Sequence, residues 1–297
     1  MSALAAQPTP FASVAVLGPG LLGGSIAKAV RERMPQCELR LWARRREPLE
    51  QARRLGITEH TCTDVQEAVL GAQLIILATP IGTFPALVQS MLPAVQPGAL
   101  ITDVGSVKGI VHESIGQPLA ESGHFFIGSH PMAGAEKQGL EHARADLLQG
   151  ATVALTNSQG TPHELVERLA AFWQALGCRT LEMTPARHDR AVARISHMPH
   201  VVAALCARSA ACGSESPDDL RQLASTGFRD TTRVSSGNPA MWAEILLENA
   251  AAVHEALEDC TADLQLLATL LKQQDKAGIL AWLQQAKDAR ENVQRSV

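Results

Sequence analysis

The sequence predicts an α/β fold, in which a doubly wound, mainly parallel sheet is followed by an all-helical C-terminal domain. Two observations carry this prediction. Short apolar, β-branched runs alternate with amphipathic segments through the first half of the chain, which is the pattern of βαβ units. From Pro185 onward, apolar residues recur with helical spacing instead. We therefore predict a boundary near residue 184, with domains at 1–184 and 185–297.

The predicted elements follow in order along the chain. The expected strands are 13–17, 39–43, 74–79, 100–104, 125–128, 151–156 and 179–183. The expected helices of the first domain are 22–33, 48–55, 84–92, 108–121 and 163–176. In the second domain, helical spacing runs from 185 to 211. Asn238 and Pro239 form an N-cap and a first helical residue for a helix to about 271, and Asp275 can cap a last helix to 288.

Composition and charge argue against several classes of function. The chain has 297 residues, 46% hydrophobic and 19% charged, and a net charge of −4, which is typical of a globular two-domain protein. Basic residues do not cluster strongly, so we expect neither nucleic acid nor a membrane as the partner. The six cysteines form no CxxC pair, and the N-terminus lacks the features of a signal peptide. We therefore expect a cytoplasmic protein, and the long helix that starts at Pro239 predicts a homodimer.

A glycine-rich turn follows the first predicted strand and opens the first predicted helix, in VAVLGPGLLGGSIAKAV. In this turn Gly18 permits a tight bend, Gly20 lets the backbone approach a pyrophosphate, and Gly23 allows close packing of helix on strand. The N-terminus of the helix then faces the phosphates. The sequence thus predicts a Rossmann-like dinucleotide site, to which we also assign Leu22 and Thr79. The alternative is a glycine-rich turn that binds no ligand.

The end of the second predicted strand indicates which dinucleotide binds. NAD sites usually place Asp or Glu there to hold the ribose 2′-hydroxyl group, whereas a 2′-phosphate requires arginine. The strand runs LRLWARRRE, so Arg44 occupies the position of the acid, and Arg45 and Arg46 follow it. We therefore predict NADP as the preferred cofactor, with NAD as the alternative. A solvated basic turn is the simpler interpretation of these arginines.

Two clusters of polar side chains in the first domain have no role in an apolar core. Asp103-Val-Gly-Ser106-Val-Lys108 follows a predicted strand, where doubly wound sheets bind their ligands. The stretch GSHPMAGAEKQG, residues 128–139, presents His130 and Glu136 after another strand. Both clusters are therefore candidates for a substrate site.

A third cluster lies in the helical domain, in SHMPH at 196–200 and GFRDTTR at 227–233. Ser196 and His200 are four residues apart and share a helix face. Arg229 and Arg233 have the same spacing, and two arginines on one face can bind carboxylates bidentately. Simpler interpretations are a core position for His197 and an ion pair between Arg229 and Asp230. The HMPH stretch has no third ligand cluster, so we predict no metal site.

Five motifs in this order resemble the prephenate/arogenate (cyclohexadienyl) dehydrogenase family of tyrosine biosynthesis: GPGLLGGS, DVGSVKG, GSHPMAGAEKQG, SHMPH and GFRDTTR…NPAMWAEILLEN. The resemblance extends from about residue 14 to about residue 257. It implies a Rossmann-like domain joined to a helical dimerisation domain. It also implies NAD(P)-dependent oxidative decarboxylation of prephenate to 4-hydroxyphenylpyruvate, or of arogenate to tyrosine.

The resemblance implies roles for the polar clusters. The histidine of the GSHPMAG motif, here His130, would take the proton of the ring hydroxyl group, and Ser106 would hydrogen bond to that group. Imidazole suits a base because its ordinary pKa lies near neutrality. Ser196 and His200 would line the substrate site, and Arg233 would anchor a carboxylate, with Arg229 as the second candidate. Glu136 stands at a position that is acidic in prephenate-using members, which favours prephenate.

Two other classes of protein fit part of this pattern. A β-hydroxyacid dehydrogenase or an imine reductase of similar architecture would bind NADP, but it would leave GSHPMAGAEKQG unexplained. A non-catalytic NADP-binding sensor would keep the three glycines and Arg44, but it would not need His130. Turnover of prephenate by the wild-type chain and its loss in a His130 variant distinguish these classes.

Overall fold

The computed structural model describes residues 9–134, 137, 139–157, 161–213 and 216–294. Within these residues the strands are β1 (Ser13–Leu17), β2 (Glu38–Trp42), β3 (Thr61–Cys62), β4 (Leu74–Leu77), β5 (Leu100–Asp103), β6 (Phe125–Pro131), β7 (Thr152–Asn157) and β8 (Arg179–Met183). The α-helices of the first half are α1 (Leu21–Arg33), α2 (Arg46–Arg54), α3 (Val65–Val69), α4 (Phe84–Met91), α5 (Gly109–Val111), α6 (Gln117–Glu121) and α7 (His163–Ala175). They are followed by α8 (Pro185–Val192), α9 (Met198–Cys212), α10 (Pro217–Leu223), α11 (Thr226–Thr232), α12 (Pro239–Glu248), α13 (Ala250–Lys272) and α14 (Lys276–Gln294).

The strands form one sheet in the order β3-β2-β1-β4-β5-β6-β7-β8. All neighbours pair in parallel except β6 and β7, which are antiparallel. Alternate residues of β1 enter two different apolar cores: Val14 and Val16 pack on one face of the sheet, and Ala15 and Leu17 on the other. The two cores confirm the predicted doubly wound, mainly parallel architecture.

Strand β6 is longer than the sequence predicts. We expected it to end at residue 128, but it continues to Pro131, since β7 pairs with it through His130↔Ala154 and Pro131↔Val153. His130 therefore lies within a strand and not in a turn beyond it. Gly128 has a packing role: a Cβ there would overlap the Thr156 hydroxyl oxygen and lie 3.0 Å from Cδ of Lys108.

Two helices contain a π segment, and each segment ends two residues before a proline. His112–Gly116 lies between α5 and α6 and precedes Pro118, and Ala193–His197 lies between α8 and α9 and precedes Pro199. Proline has no N–H group for the carbonyl four residues earlier, and the wider turn accommodates that missing hydrogen bond. The predicted helix 108–121 is therefore interrupted in the structure.

The predicted helix from Pro239 to about residue 271 is two helices. It breaks at Asn249, whose side-chain amide donates a 2.9 Å hydrogen bond to the carbonyl oxygen of Asp189. Asn249 itself has a non-helical conformation, with φ −114° and ψ 28°. The prediction of one continuous helix was wrong, because a tertiary contact and not the local periodicity decides the break.

The chain divides into two compact units. The first contains the described residues up to Val192 together with Ser236–Asn249, and the second contains Ala193–Ser235 and the described residues from Ala250 onward. The first unit thus contains α8 and α12 together with the sheet, although the sequence assigned both helices to the helical domain. The boundary at 184 between functional domains stays a prediction.

None of the described helices has the length and apolarity that crossing a membrane requires.

Candidate active site

The glycine turn between β1 and α1 has the geometry of a phosphate-binding loop. Gly18 has a positive φ of 106°, and a Cβ there would lie 2.8 Å from the carbonyl oxygen of Ala78. A Cβ on Gly23 would overlap the carbonyl oxygen of Gly18, so the helix can approach the strand only with glycine there. Above Gly20 the space is open, with no atom within 4 Å of an added Cβ. The turn therefore leaves room for a pyrophosphate against the backbone.

A cleft of about 910 Å³ extends from this turn along the carboxyl ends of β1, β2 and β4. These strands flank the point where the strand order reverses, which is where doubly wound sheets bind ligands. The predicted cofactor residues in its wall are Gly18, Gly20, Arg44, Arg45 and Thr79. Leu22 and Gly23 lie in α1 behind the turn and do not line the cleft. A cleft at this position of a doubly wound sheet can hold a dinucleotide, and Arg44 and Arg45 belong to its wall.

The sequence analysis missed other residues of the cleft wall. Trp42 ends β2 and is held by a 3.0 Å hydrogen bond from its indole N–H group to the carbonyl oxygen of Thr63. Leu140 and Glu141 line the cleft from the segment that follows GSHPMAGAEKQG. No motif marks these positions, because the strand ends and this segment meet only in the folded sheet.

His130 and Ser106 lie at the same edge of the sheet as the cleft. His130 is half-buried near the carboxyl end of β6, and Ser106 is half-buried in the turn that follows β5. Because β5 and β6 are parallel neighbours, their carboxyl ends meet at one edge. The structure thus places the motifs DVGSVKG and GSHPMAG on adjacent strands.

Ser129, the residue before His130, is fixed by hydrogen bonds on every polar atom. Its hydroxyl group bonds to the Thr102 hydroxyl at 2.8 Å and accepts from the Trp173 indole at 3.1 Å. Its backbone N–H group donates to Asp103, and its carbonyl oxygen accepts from Lys108 at 2.9 Å. These contacts hold the backbone of β6 in place, so the position of His130 is rigidly defined.

Asp103 and Lys108 form an ion pair that is fully buried. Asp103 also accepts hydrogen bonds from the backbone N–H groups of Gly105 and Ser129, at 2.7 Å and 3.2 Å. Burial raises the pKa of Asp103 and lowers that of Lys108, while the attraction between the two charges opposes both shifts. The pair ties the turn that carries Ser106 to the strand that carries His130.

The imidazole of His130 contacts a second histidine that the sequence analysis did not single out. Nδ1 of His130 lies 2.8 Å from Nε2 of His188, and Nδ1 of His188 lies 2.7 Å from Oδ1 of Asp189. His188 and Asp189 belong to α8 and are buried. The stretch PARHDRAV has no spacing that indicates a site, so only the tertiary structure reveals this contact.

The second unit carries the other predicted substrate residues. Ser196 lies in the π segment before α9 and is half-buried, and His200 lies in α9 and is buried. Burial lowers the pKa of His200 below its ordinary value, so this imidazole is neutral at pH 7. Arg229 lies in α11, which packs against α9, and Arg233 follows α11 directly. Both arginines are exposed to solvent.

Glu136, the predicted reader of the substrate's side chain, lies outside the described residues. His197 is buried, with 1% of its surface exposed. Among the residues that the structure describes, no group of three His, Cys, Asp or Glu side chains is arranged to hold a metal ion.

The glycine turn, the cleft at the reversal point and the polar side chains on the neighbouring strands define a dinucleotide-dependent oxidoreductase. Residues 26–182 match the family model described as "Prephenate dehydrogenase, nucleotide-binding domain", and residues 184–285 match "Prephenate dehydrogenase, dimerization domain". The chain therefore belongs to the prephenate dehydrogenase family, whose function is NAD(P)-dependent dehydrogenation of prephenate or arogenate.

Individual relatives agree with this assignment. The cyclohexadienyl dehydrogenase of Zymomonas mobilis is 32% identical over 283 residues, which is 95% of this chain and 96% of that protein. The crystal structure of Aquifex aeolicus prephenate dehydrogenase with hydroxyphenyl propionate and NAD⁺ superposes with a TM-score of 0.87 and 28% identity, and covers 98% of this chain and 100% of that one. The Synechocystis arogenate dehydrogenase superposes with a TM-score of 0.83 and 33% identity, over 95% of this chain and 99% of that one.

Proposed function

We propose that this chain oxidises and decarboxylates prephenate to 4-hydroxyphenylpyruvate with NADP⁺ as its preferred cofactor, and that His130 is the base. The observation that carries the proposal is the position of His130 on β6, at the sheet edge that also holds the glycine turn. Its backbone is fixed through Ser129, and its Nδ1 is engaged by His188. A positioned imidazole at this edge can take a proton from a bound substrate.

The chemistry needs little more than orientation, a base and a group that binds the carboxylates. Prephenate is a non-aromatic cyclohexadienol with a carboxylate on the ring, so aromatisation drives the reaction. When bound in the cleft lined by Gly18, Gly20 and Arg44, a nicotinamide cofactor would supply the acceptor for the hydride of the carbon that bears the hydroxyl group. As the O–H bond breaks, its proton passes to Nε2 of His130, and its electron pair forms the C=O bond.

Decarboxylation then completes the aromatic ring. The bond from the ring to the carboxylate breaks, CO₂ leaves, and the electron pair moves through the ring to the oxygen. That oxygen recovers the proton from His130, which leaves a phenol and a neutral imidazole. The net reaction therefore consumes no external proton, and His130 needs to hold one only transiently.

Ser106 supports this step by a hydrogen bond to the reacting hydroxyl group, and Ser196 and His200 line the substrate site. Arg233 anchors a carboxylate of prephenate, with Arg229 as the second candidate, because a guanidinium group binds carboxylates bidentately. Arg233→Ala should raise the KM for prephenate about tenfold or more while the affinity for NADP⁺ stays the same. An unchanged KM would place the anchor elsewhere.

The preference for NADP⁺ is supported by the composition of the cleft. Arg44 and Arg45 line it at the end of β2, where NAD sites carry an acid. Arg45 is also the N-cap residue of α2, and its side chain makes no capping hydrogen bond to that helix. The N-terminus of α2 and the guanidinium groups of Arg44 and Arg45 together favour the binding of a 2′-phosphate.

Prephenate is proposed over arogenate because Glu136 matches an acidic position of prephenate-using members. The two substrates differ in one side chain, which ends in a keto acid in prephenate and in an amino acid in arogenate.

We also propose that the chain acts as a homodimer, in keeping with the dimerisation domain that residues 184–285 match. The cytoplasmic location stays a prediction.

A spectrophotometric assay that crosses prephenate and arogenate with NADP⁺ and NAD⁺ tests the proposal. We expect the highest kcat/KM for prephenate with NADP⁺. A higher kcat/KM with NAD⁺ would refute the cofactor assignment, and a higher value with arogenate would refute the substrate assignment. Absence of turnover in all four combinations would refute the proposed function as a whole.

A further inference from the structure

Three side chains of the first unit form a continuous hydrogen-bonded relay, which runs from His130 through His188 to Asp189. The two contacts are 2.8 Å and 2.7 Å long, within the range of good hydrogen bonds. His188 is 1% exposed and Asp189 is 9% exposed, so the relay is shielded from water beyond His130. The family match assigns no role to His188 or Asp189.

Asp189 is held rigidly at the buried end of the relay. Its Oδ1 accepts the backbone N–H group of Lys108 at 2.8 Å, and its Oδ2 accepts that of Gly109 at 2.7 Å. Burial raises the pKa of Asp189, but the hydrogen bonds from His188 and from the two backbone N–H groups outweigh it, and the pKa lies below its ordinary value. Asp189 is therefore an ionised carboxylate at neutral pH, and it can only accept hydrogen bonds.

An acceptor at one end sets the order of donors along a relay in which each imidazole carries one proton. Because Asp189 only accepts, Nδ1 of His188 carries a proton and donates it. Nε2 of His188 then holds the lone pair of that ring and accepts a hydrogen bond from Nδ1 of His130. His130 consequently carries its own lone pair on Nε2.

From this order of donors we infer that His188 and Asp189 are positioning residues that hold His130 in the tautomer whose Nε2 accepts the substrate's hydroxyl proton. The inference rests on the proposed role of His130 as the base, and it adds residues that set the protonation state of that base. The relay also stabilises the protonated form of His130, because Nδ1 then donates more strongly towards His188 and the Asp189 charge.

Other titratable groups of the same unit surround this relay. Lys108 interacts with Asp189, Asp103 and Glu248, and its charge is opposed by the buried carboxylate of Asp103. Burial raises the pKa of Glu248 on α12. His112 interacts with His188 and Asp189, but burial lowers its pKa to about 4, so it is neutral near pH 7. Variants of His188 leave all of these groups in place.

Two substitutions at His188 distinguish the effect of its hydrogen bonds from the effect of its size. His188→Phe keeps an aromatic ring against His130, whose ring centroid lies 5.1 Å away, but it removes the acceptor and the donor. His188→Gln keeps both, since its amide can donate to Asp189 and its carbonyl oxygen can accept from His130. His112→Gln is the matched control, because it makes the same substitution at another histidine of this unit whose surface is mostly buried.

We expect His188→Phe to lower kcat for prephenate by about 100-fold with little change in KM, and His188→Gln to recover about tenfold of that loss. In the pH profile of kcat/KM, the acid limb should move to lower pH by about one unit in His188→Phe. The reason is that protonated His130 has lost the acceptor for its Nδ1–H group. His112→Gln should leave kcat and the acid limb unchanged. A merely structural role of His188 would not move the acid limb, and neither would it distinguish Phe from Gln.

A long-range ¹H–¹⁵N correlation spectrum of the wild-type enzyme tests the tautomer directly, without relying on the folding of any variant. His130→Asn identifies the signals of His130, and the unprotonated nitrogen should be Nε2. An unprotonated Nδ1 of His130, or an equal shift of the acid limb in His112→Gln, would overturn the inference.

If His130→Asn abolishes turnover while His188→Phe keeps kcat and the acid limb, the inference fails and the proposed function stands. If His130→Asn retains turnover, the proposed base itself is wrong.

Discussion

At the scale of single residues, the buried ion pair of Asp103 and Lys108 ties the two active-site strands together. Lys108→Met would leave the Asp103 carboxylate buried without its cation, and breaking a buried pair in this way costs about 3–5 kcal/mol. We expect the free energy of unfolding, measured in urea, to fall by that amount. The double variant Asp103→Asn with Lys108→Met should recover part of the loss, and a single variant as stable as wild type would contradict the role of the pair.

Arg44 is the residue on which the proposed cofactor preference depends. In the proposed NADP⁺ site, Arg44→Asp would remove a charge-assisted contact to the 2′-phosphate and introduce the acid typical of NAD sites, so KM for NADP⁺ should rise by about 10- to 100-fold. The ratio of kcat/KM for the two cofactors measures the effect. Arg54→Asp, with the same charge change at the other end of α2, should leave this ratio unchanged. Equal effects of the two variants would place Arg44 outside the phosphate site.

At the scale of elements, the π segment that follows α5 makes stability depend on pH. Nε2 of His112 lies 2.9 Å from the Thr156 hydroxyl group, and its ring packs edge-on against Phe126. Its buried Nδ1 has no hydrogen-bond partner among the described residues. Burial first, and then the charge of Lys108, lower its pKa to about 4.

The sign of this effect follows from the two states of the chain. An unfolded histidine takes up a proton near pH 6.5, whereas folded His112 stays neutral until about pH 4. Stability from this group is therefore complete above about pH 6.5 and falls with pH down to about 4, by about 3 kcal/mol. Urea unfolding between pH 7 and pH 4 should show a shallower loss of stability in His112→Gln than in wild type. Parallel curves for the two proteins would refute the assignment.

Local patterns predicted most elements, but not the contacts that modify them. Seven of the eight described strands, all except β3, and α1, α4 and α7 follow from periodicity and turn residues, because their own side chains fill the two cores. The extension of β6 to Pro131 depends on its pairing with β7, and the break at Asn249 depends on Asp189. Strand β3, only two residues long, has no periodicity to detect.

The candidate site likewise contains residues that a sequence motif marks and residues that only tertiary contacts reveal. The glycines, Arg44 and His130 stand in motifs whose spacing reflects a chemical need, so the sequence alone marks them as candidates. His188 and Asp189 are adjacent residues in an ordinary helix, and they meet His130 only when α8 packs against the sheet. Groups that act through another residue leave no spacing in the sequence, and a three-dimensional structure is needed to find them.

At the scale of the whole molecule, the helical unit leaves apolar surface exposed. Helices α13 and α14 pack against each other, and several of their leucines expose about half of their surface or more: Leu264, Leu266, Leu271, Leu280 and Leu283. We expect a second copy of the chain to cover part of this apolar surface, in keeping with the dimerisation domain that residues 184–285 match. Sedimentation should give twice the 31.6 kDa of one chain, and the melting temperature should rise with protein concentration. A monomer that melts independently of concentration would contradict the homodimer.

In the proposed mechanism His130 takes the proton during oxidation, while other residues bind the cofactor. The most direct measurement is the steady-state rate of prephenate oxidation by His130→Asn, paired with a titration of NADP⁺ binding by the fluorescence of Trp42 in the cleft wall. We predict that kcat falls by about 10³-fold or more while the Kd for NADP⁺ stays within about twofold of wild type. A variant that binds NADP⁺ normally and retains wild-type turnover would contradict the account.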